Sequence, residues 1–193
     1  MYNTLMDMYV RAGPGLQRQR AAVVFSNNSG NDSFCPCTPR IRMEATFICK
    51  PFEALTPFQL YEVLRLRSEI FVVEQQCVFL DMDNKDQHSH HLLLYHGEAL
   101  VAYARLVPAG RSFAEMSIGR VVTSGAVRGT GVGKKLMQEA IDAICRLYGP
   151  GPIRIGAQCY ARRFYENLGF VQAGEVYDED GIDHIEMVKP PAG

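Results

Sequence analysis

No stretch of this 193-residue sequence is apolar for the about 18 residues that a bilayer-crossing helix needs. No charge of one sign dominates: 20 Lys and Arg stand against 21 Asp and Glu, a net of -1. That balance gives no electrostatic reason to expect a nucleic acid or an anionic membrane as partner. The cysteines Cys35, Cys37, Cys49, Cys77, Cys145 and Cys159 have neither a zinc-framework spacing nor a C-x-x-C pair. Free thiols in a reducing, cytoplasmic compartment are the plain expectation. No basic start leads into a continuous apolar core, which argues against a secretory signal. What is present is ordinary globular composition, 47% hydrophobic and 21% charged. At about 150 residues per domain, the length suits one domain plus an appendage. A chain of this size buries roughly two-thirds of its surface and needs no staples.

The appendage is residues 1–42. It holds Arg11, Arg18, Arg20, Arg40 and Arg42 against Asp7 and Asp32. Its stretch Asn27-Asn28-Ser29-Gly30-Asn31-Asp32-Ser33 is polar and turn-rich, and Pro36 and Pro39 follow. Such a segment buries too little to offset its chain entropy. It reads as a disordered N-terminal extension. Two alternatives stand beside it: a mitochondrial transit peptide, weakened by Asp7 and a broken period, and an ordered arm. The compact domain is expected over 43–193.

From Met43 the punctuation is regular. A short strand at Phe47-Ile48-Cys49 precedes Thr56-Pro57-Phe58-Gln59, where a capping threonine, a first-turn proline and a third-position glutamine open a helix. Strands are expected at His91–Tyr95, Ala99–Val107 and Met116–Thr123. Val132, Leu136, Met137, Ala140, Ile141, Ile144, Leu147 and Tyr148 then form the strongest helical stripe, stopped by Gly149-Pro150-Gly151-Pro152. A strand at Ile153–Ile155, a short helix from Ala161 to Leu168, and strands at Phe170–Tyr177 and Ile182–Val188 complete the order. Hairpins mixed with a helical crossover predict an α/β (α+β) domain: one mixed sheet with helices packed on it.

The strongest chemical signal is Arg128-Gly129-Thr130-Gly131-Val132-Gly133-Lys134, between a strand and the long helix. Glycines let backbone approach a ligand, and a helix start adds partial positive charge. Together they make a phosphate cradle. A Walker A loop would need glycine where Arg128 stands and a hydroxyl where Lys135 stands. A Rossmann loop would place its third glycine one residue later and an acid about twenty residues on. Both fail on spacing, and R-x-x-G-x-G remains.

That pattern resembles the coenzyme A loop of the GNAT superfamily of N-acetyltransferases. Ala161-x-x-Phe164-Tyr165-x-x-x-Gly169-Phe170 resembles a second signature of the superfamily, a short helix bearing a tyrosine. Phe71-Val72-Val73-Glu74-Gln75, with Gly174-Glu175-Val176-Tyr177-x-Glu179-Asp180-Gly181-Ile182-x-His184-Ile185, looks like the ElaA-like branch. The resemblance implies a sheet of about six to seven strands. In it a β-bulge splays the strand before the loop, and coenzyme A lies in the opening. It implies that Val121, Val122 and Thr123 offer backbone groups to the pantetheine arm. The amides of Gly129, Thr130, Gly131, Val132, Gly133 and Lys134 would take the pyrophosphate, with charge from Arg128 and Lys134, and Gln158 would bond the cofactor.

The implied reaction is attack of a neutral amine on the thioester of acetyl-CoA, which serves as co-substrate. The acceptor would be a small-molecule amine or an amino terminus. The Val122 N–H is the expected oxyanion donor, and Tyr165 the general acid for the leaving thiol. Its bland alternative is a tyrosine packing with Phe164 and Leu168. The base is expected at Glu74 or His184, since Glu115 stands too early on its strand; a lone histidine among Ile182, Ile185 and Val188 is often structural. Two other functions compete: an acyl-CoA sensor that binds without transfer, and a nucleotide-binding module, which the failed Walker spacing disfavours.

The loop Asp81-x-Asp83-x-x-Asp86-x-His88-x-His90-His91 is rich in ligand types. A calcium loop needs glycine and glutamate where Asp86 and Leu92 stand, and no zinc pattern emerges. No metal is expected. The loop reads as a solvated acidic border whose charge favours a cationic amine.

Overall fold

The structure, a computed structural model, describes residues 45–191. The expectations for residues 1–42 lie outside them. Seven strands form one sheet: β1 (Ala45–Pro51), β2 (His90–His96), β3 (Ala99–Val107), β4 (Met116–Thr123), β5 (Ile153–Gln158), β6 (Val171–Glu179) and β7 (Ile182–Lys189). The order is β1-β2-β3-β4-β5-β7-β6. All neighbours are antiparallel except β4 and β5, the parallel pair. The last hairpin folds back so that β7, not β6, pairs with β5. Its turn is Asp180-Gly181, with φ of 55° and 81°, the left-handed pair that a tight two-residue hairpin requires.

Helix α1 (Pro57–Arg67) starts with the expected capping box: the Gln59 N–H donates to Thr56 Oγ1 at 3.2 Å and the Thr56 N–H to Gln59 Oε1 at 3.2 Å. Helix α2 is Val132–Tyr148 and α3 is Arg162–Glu166. The two long helices cover opposite faces. Leu136, Met137, Ala140, Ala143 and Ile144 of α2 pack with Leu92, Leu94, Ile118, Ile155 and Met187. Val63 and Leu66 of α1 pack with Leu93, Leu100, Tyr103 and Val122. Consecutive leucines of β2 thus serve both faces, as the two-residue strand period dictates, and the strand reads as an unbroken apolar run. Leu136→Ala should cost about 2–5 kcal/mol of stability, because the site is fully buried and cannot collapse freely. Urea unfolding is the check; a loss under about 1 kcal/mol would contradict that packing.

Two irregularities build the site. Gly119 pairs with Arg105 and Val122 with Tyr103, so Arg120 and Val121 together oppose one residue of β3. This is a β-bulge, and Arg120 takes a φ of 51° in it. Already before it β4 leaves β5: the pair is in register only at Met116–Ile153 and Ser117–Arg154. The second irregularity follows α1. Ser68–Glu74 continues it as a wider π-type helix, closed by the Gln75 N–H on the Ile70 carbonyl at 3.2 Å. The apolar stripe Leu60, Val63, Leu64 and Ile70 predicts plain helix as far as Ile70. Such insertions re-aim side chains and recur at functional sites.

Candidate active site

The split between β4 and β5 opens a cleft of about 420 Å³. Its lining includes Glu74, Val121, Val122, Thr123, Arg128, Gln158, Tyr165 and His184. Sequence reasoning had singled out all eight, and the fold brings them together from five helices and strands and the glycine loop. Phe71, Gln75, Arg120, Gly156 and Tyr160 also line it and were given no role. Phe71 and Gln75 reach it through the π-type turn, which no residue pattern announces.

The glycine loop lies at the start of α2. Gly129 and Gly131 have φ of 76° and 84°, values that side-chain-bearing residues rarely adopt. Gly131 caps α2, and its carbonyl accepts the first helical bond, from the Lys135 N–H at 3.2 Å. The amides of Val132, Gly133 and Lys134 therefore have no acceptor within the helix. A Cβ at Gly133 would sit 3.8 Å from Thr123 Cγ2 and 3.9 Å from Phe164, so this turn adjoins the cleft strand and α3. The arrangement fits a pyrophosphate: three free amides, a helix start, and Arg128 and Lys134 beside it.

The backbone of β4 requires one correction. The Ser124 N–H donates to the Val101 carbonyl at 2.8 Å. Val122, two residues earlier and paired with Tyr103, points its N–H the same way, at β3. Alternation then turns the N–H groups of Val121 and Thr123 toward the split. Val122 lines the cleft, but its amide is not the one available to an oxyanion; that of Val121 is.

Three side chains have specific partners. Both Glu74 oxygens accept from the Arg128 guanidinium, at 2.6 and 3.0 Å. This pair joins the π-type turn to the glycine loop and occupies the expected base. The Gln158 amide exchanges two hydrogen bonds with Gln75, at 3.1 and 3.2 Å, so it also spans the split. His184 donates from Nδ1 to the Ile182 carbonyl at 2.8 Å, which leaves Nε2 as an acceptor. Tyr177 stacks on its ring, with centroids 5.8 Å apart. A side chain at Gly156 would displace that tyrosine, because a Cβ there would stand 3.0 Å from the Tyr177 hydroxyl.

Tyr165 projects from α3 between Phe164 and Phe170, whose rings meet it edge-on at 5.1 and 5.9 Å. Its hydroxyl has no hydrogen-bond partner among the described residues, and the residue lines the cleft. Burial pushes its acidity down, to a pKa of about 12, with Tyr160 adding to the shift. The phenol is therefore protonated throughout the ordinary pH range.

The loop from Asp81 is not the solvated border expected of it. Asp81 and Asp86 are buried. Asp81 accepts from Arg67 Nε and Arg120 Nε, both at 2.8 Å. Asp86 accepts from Arg67 and Arg105 at 2.8–3.0 Å, and Asp83 from Arg105 at 2.6 and 2.7 Å. Three arginines cancel three aspartates, so this loop carries no field into the cleft. The carboxylates were legible from their spacing, but the arginines lie on α1, β3 and β4, and only the fold unites them. Glu115 is likewise committed, to Arg154 at 2.7 and 3.0 Å. No group of three or more His, Cys, Asp and Glu side chains among the described residues is arranged to hold a metal ion.

Comparison with known proteins agrees with this geometry. The profile of the acetyltransferase (GNAT) domain matches residues 67–190. Protein ElaA of Escherichia coli is 39% identical over 137 residues, which are 70% of this chain and 90% of that protein. The crystal structure of Escherichia coli ElaA superposes with a TM-score of 0.72 at 36% identity, over 76% of this chain and 99% of that one. An acyl-CoA N-acyltransferase from Pseudomonas aeruginosa gives a TM-score of 0.72 at 40% identity, with the same coverage.

Proposed function

The chain belongs to the GNAT acetyltransferase family, with ElaA-like relatives, and from that premise we propose that it transfers the acetyl group of acetyl-CoA to a primary amine. Acyl transfer from a coenzyme A thioester is the family's chemistry; the acetyl group, the amine and the residue roles are the proposal. The observation that carries it is the split of β4 from β5, with an unpartnered phenol on one wall and inward-turned amides on the other.

The coenzyme supplies an activated acyl group as a thioester. In the reaction the amine nitrogen bonds to the acyl carbon, the carbon–sulfur bond breaks, and the thiolate leaves. The Val121 N–H donates to the oxygen on which charge develops. His184 Nε2 takes the proton that the amine sheds, directly or through water. His184 suits this better than Glu74, whose carboxylate is engaged by Arg128. Tyr165 donates to the leaving sulfur. Its pKa of about 12 makes it a weaker acid than an ordinary thiol at about 8.5. Its work is therefore a hydrogen bond that stabilises the departing charge, with the final proton coming from solvent.

Calorimetric titration with acetyl-CoA, with ATP as control, tests the ligand. Micromolar binding of the thioester and none of ATP is expected. Gly131→Val should abolish it: the position needs a φ near 84° that a β-branched residue avoids. Unchanged thioester affinity in that variant would remove the loop from the site.

A further inference from the structure

Beyond the cleft lies a second, smaller chamber of about 80 Å³. Phe71, Gln75, Arg120, Gln158 and His184 line both spaces, so the two adjoin across these side chains. The wall that belongs to the chamber alone comes from Cys77, Phe79, Ile182, Glu179 and Asp180. The Cys77 thiol donates to the Asp180 carbonyl at 3.4 Å and ties the loop after the π-type turn to the β6–β7 hairpin.

Charge in this chamber has one uncompensated sign. Arg120 is its only cationic lining residue, and Asp81 neutralises it at 2.8 Å. Glu179 and Asp180 are exposed and have no ion-pair partner among the described residues. The strands around them extend the field: β6, β7 and their turn carry Glu175, Asp178, Glu179, Asp180, Asp183 and Glu186 against Lys189. Of these acids only Glu186 is paired among the described residues, with Arg154 at 2.8 Å. The opposite end of the cleft carries Lys134 and Lys135 in the first turn of α2, while Glu74 neutralises Arg128 there at 2.6 Å. The site is thus positive where a pyrophosphate would lie and negative where the acceptor enters.

Size narrows the acceptor further. The chamber has about a fifth of the cleft's volume of about 420 Å³, so it is the narrow end of the site. That admits an unbranched aminoalkyl end beside His184 and leaves the rest of the molecule at the mouth, near Glu179 and Asp180. A carboxylate there would be repelled, whereas a second ammonium would be attracted.

We propose that the acceptor is a linear aliphatic diamine or longer polyamine, carrying a second positive charge and no carboxylate. The assignment rests on the amine-transfer reading above and narrows it. Three four-carbon acceptors isolate the far-end charge: 1,4-diaminobutane, butylamine and 4-aminobutyrate. Coenzyme A release from acetyl-CoA is followed with each. Each carboxylate acting at about 6 Å through a water-like dielectric is worth about threefold. The diamine should therefore exceed butylamine by about tenfold in kcat/KM, and 4-aminobutyrate should fall below butylamine by about as much. In about 0.5 M salt the advantage should shrink below about threefold. In Glu179→Gln/Asp180→Asn the diamine-to-butylamine ratio should approach one. Equal use of butylamine, or preference for 4-aminobutyrate, overturns the assignment and leaves amine transfer standing. If none of the three is acetylated, calorimetry on protein saturated with coenzyme A separates the readings. Preferential binding of the diamine keeps the chamber's assignment and sinks transfer; absence of binding by all three overturns the assignment.

Discussion

Tyr165→Phe should lower kcat on the order of 100-fold or more while acetyl-CoA affinity changes less than about threefold. The magnitude is that of removing one positioned hydrogen-bond donor from the charge that develops in the transition state. The substitution is clean here. The ring stays wedged between Phe164 and Phe170, and the lost hydroxyl has no partner among the described residues to leave unsatisfied. Stability should therefore stay within about 0.5 kcal/mol. A transition-state interaction lowers kcat and kcat/KM together without touching ground-state binding. Single-turnover kinetics beside calorimetry make the distinction. Equal losses in rate and affinity would mean that the phenol only shapes the cleft.

The acidity of Tyr165 also sets the pH profile. A group with a pKa of about 12 is protonated, and so competent to donate, at every pH below about 11. The attacking amine and the base must be unprotonated, so the rate should rise with pH. No falling limb from Tyr165 should appear before about pH 11. A falling limb centred near pH 8–9, present in the native protein and absent from Tyr165→Phe, would show that burial does not hold the phenol as described.

Legibility in the sequence followed locality. The capping box at Thr56 and the stripe of α2 each depend on residues within a few positions, and each formed as expected. R-x-x-G-x-G and the Phe164-Tyr165 helix were readable because the backbone conformation they need is written into adjacent residues. What depends on distant partners was not readable. The fold-back that seats β7 beside β5 is a matter of sheet topology. The engagement of Glu74 by Arg128 and of Gln158 by Gln75 joins residues 54 and 83 positions apart. The amide of Val122 was misassigned because the bulge at Arg120 inserts a residue. A one-residue shift exchanges which N–H groups face β3 and which face the split. The acidic loop failed for the same reason: a run of aspartates looks solvated until the arginines that bury it are placed.

Those arginines carry the largest expected effect on stability. Asp86→Asn should destabilise the fold by about 3–5 kcal/mol, because it removes charge from a buried ion network and leaves its cations uncompensated. Arg67 has no exposed surface, so water cannot replace the lost partner, and Arg105 Nε already lacks one. Loss of the exposed Arg65–Glu69 pair, at 3.3 Å on the helix surface, should cost less than about 0.5 kcal/mol. Urea unfolding of Asp86→Asn beside Glu69→Gln makes the comparison; similar small losses would show that the network is solvated after all. Acid should act as Asp86→Asn does. Burial alone would raise the Asp83 and Asp86 carboxyls, but Arg105 and, for Asp86, Arg67 hold them well below the usual range. The unfolded chain then binds more protons than the folded one as pH falls below about 4, so stability present above that range is lost beneath it. The network also reaches the site. Arg120 holds the bulge at a φ of 51°, a conformation that costs a non-glycine residue about 1–2 kcal/mol, and Asp81 anchors its side chain at 2.8 Å. Weakening the network should let the bulge relax and β4 pair further along β5. Hence Asp86→Asn should lose acetyl-CoA binding at a lower urea concentration than the one that unfolds α2.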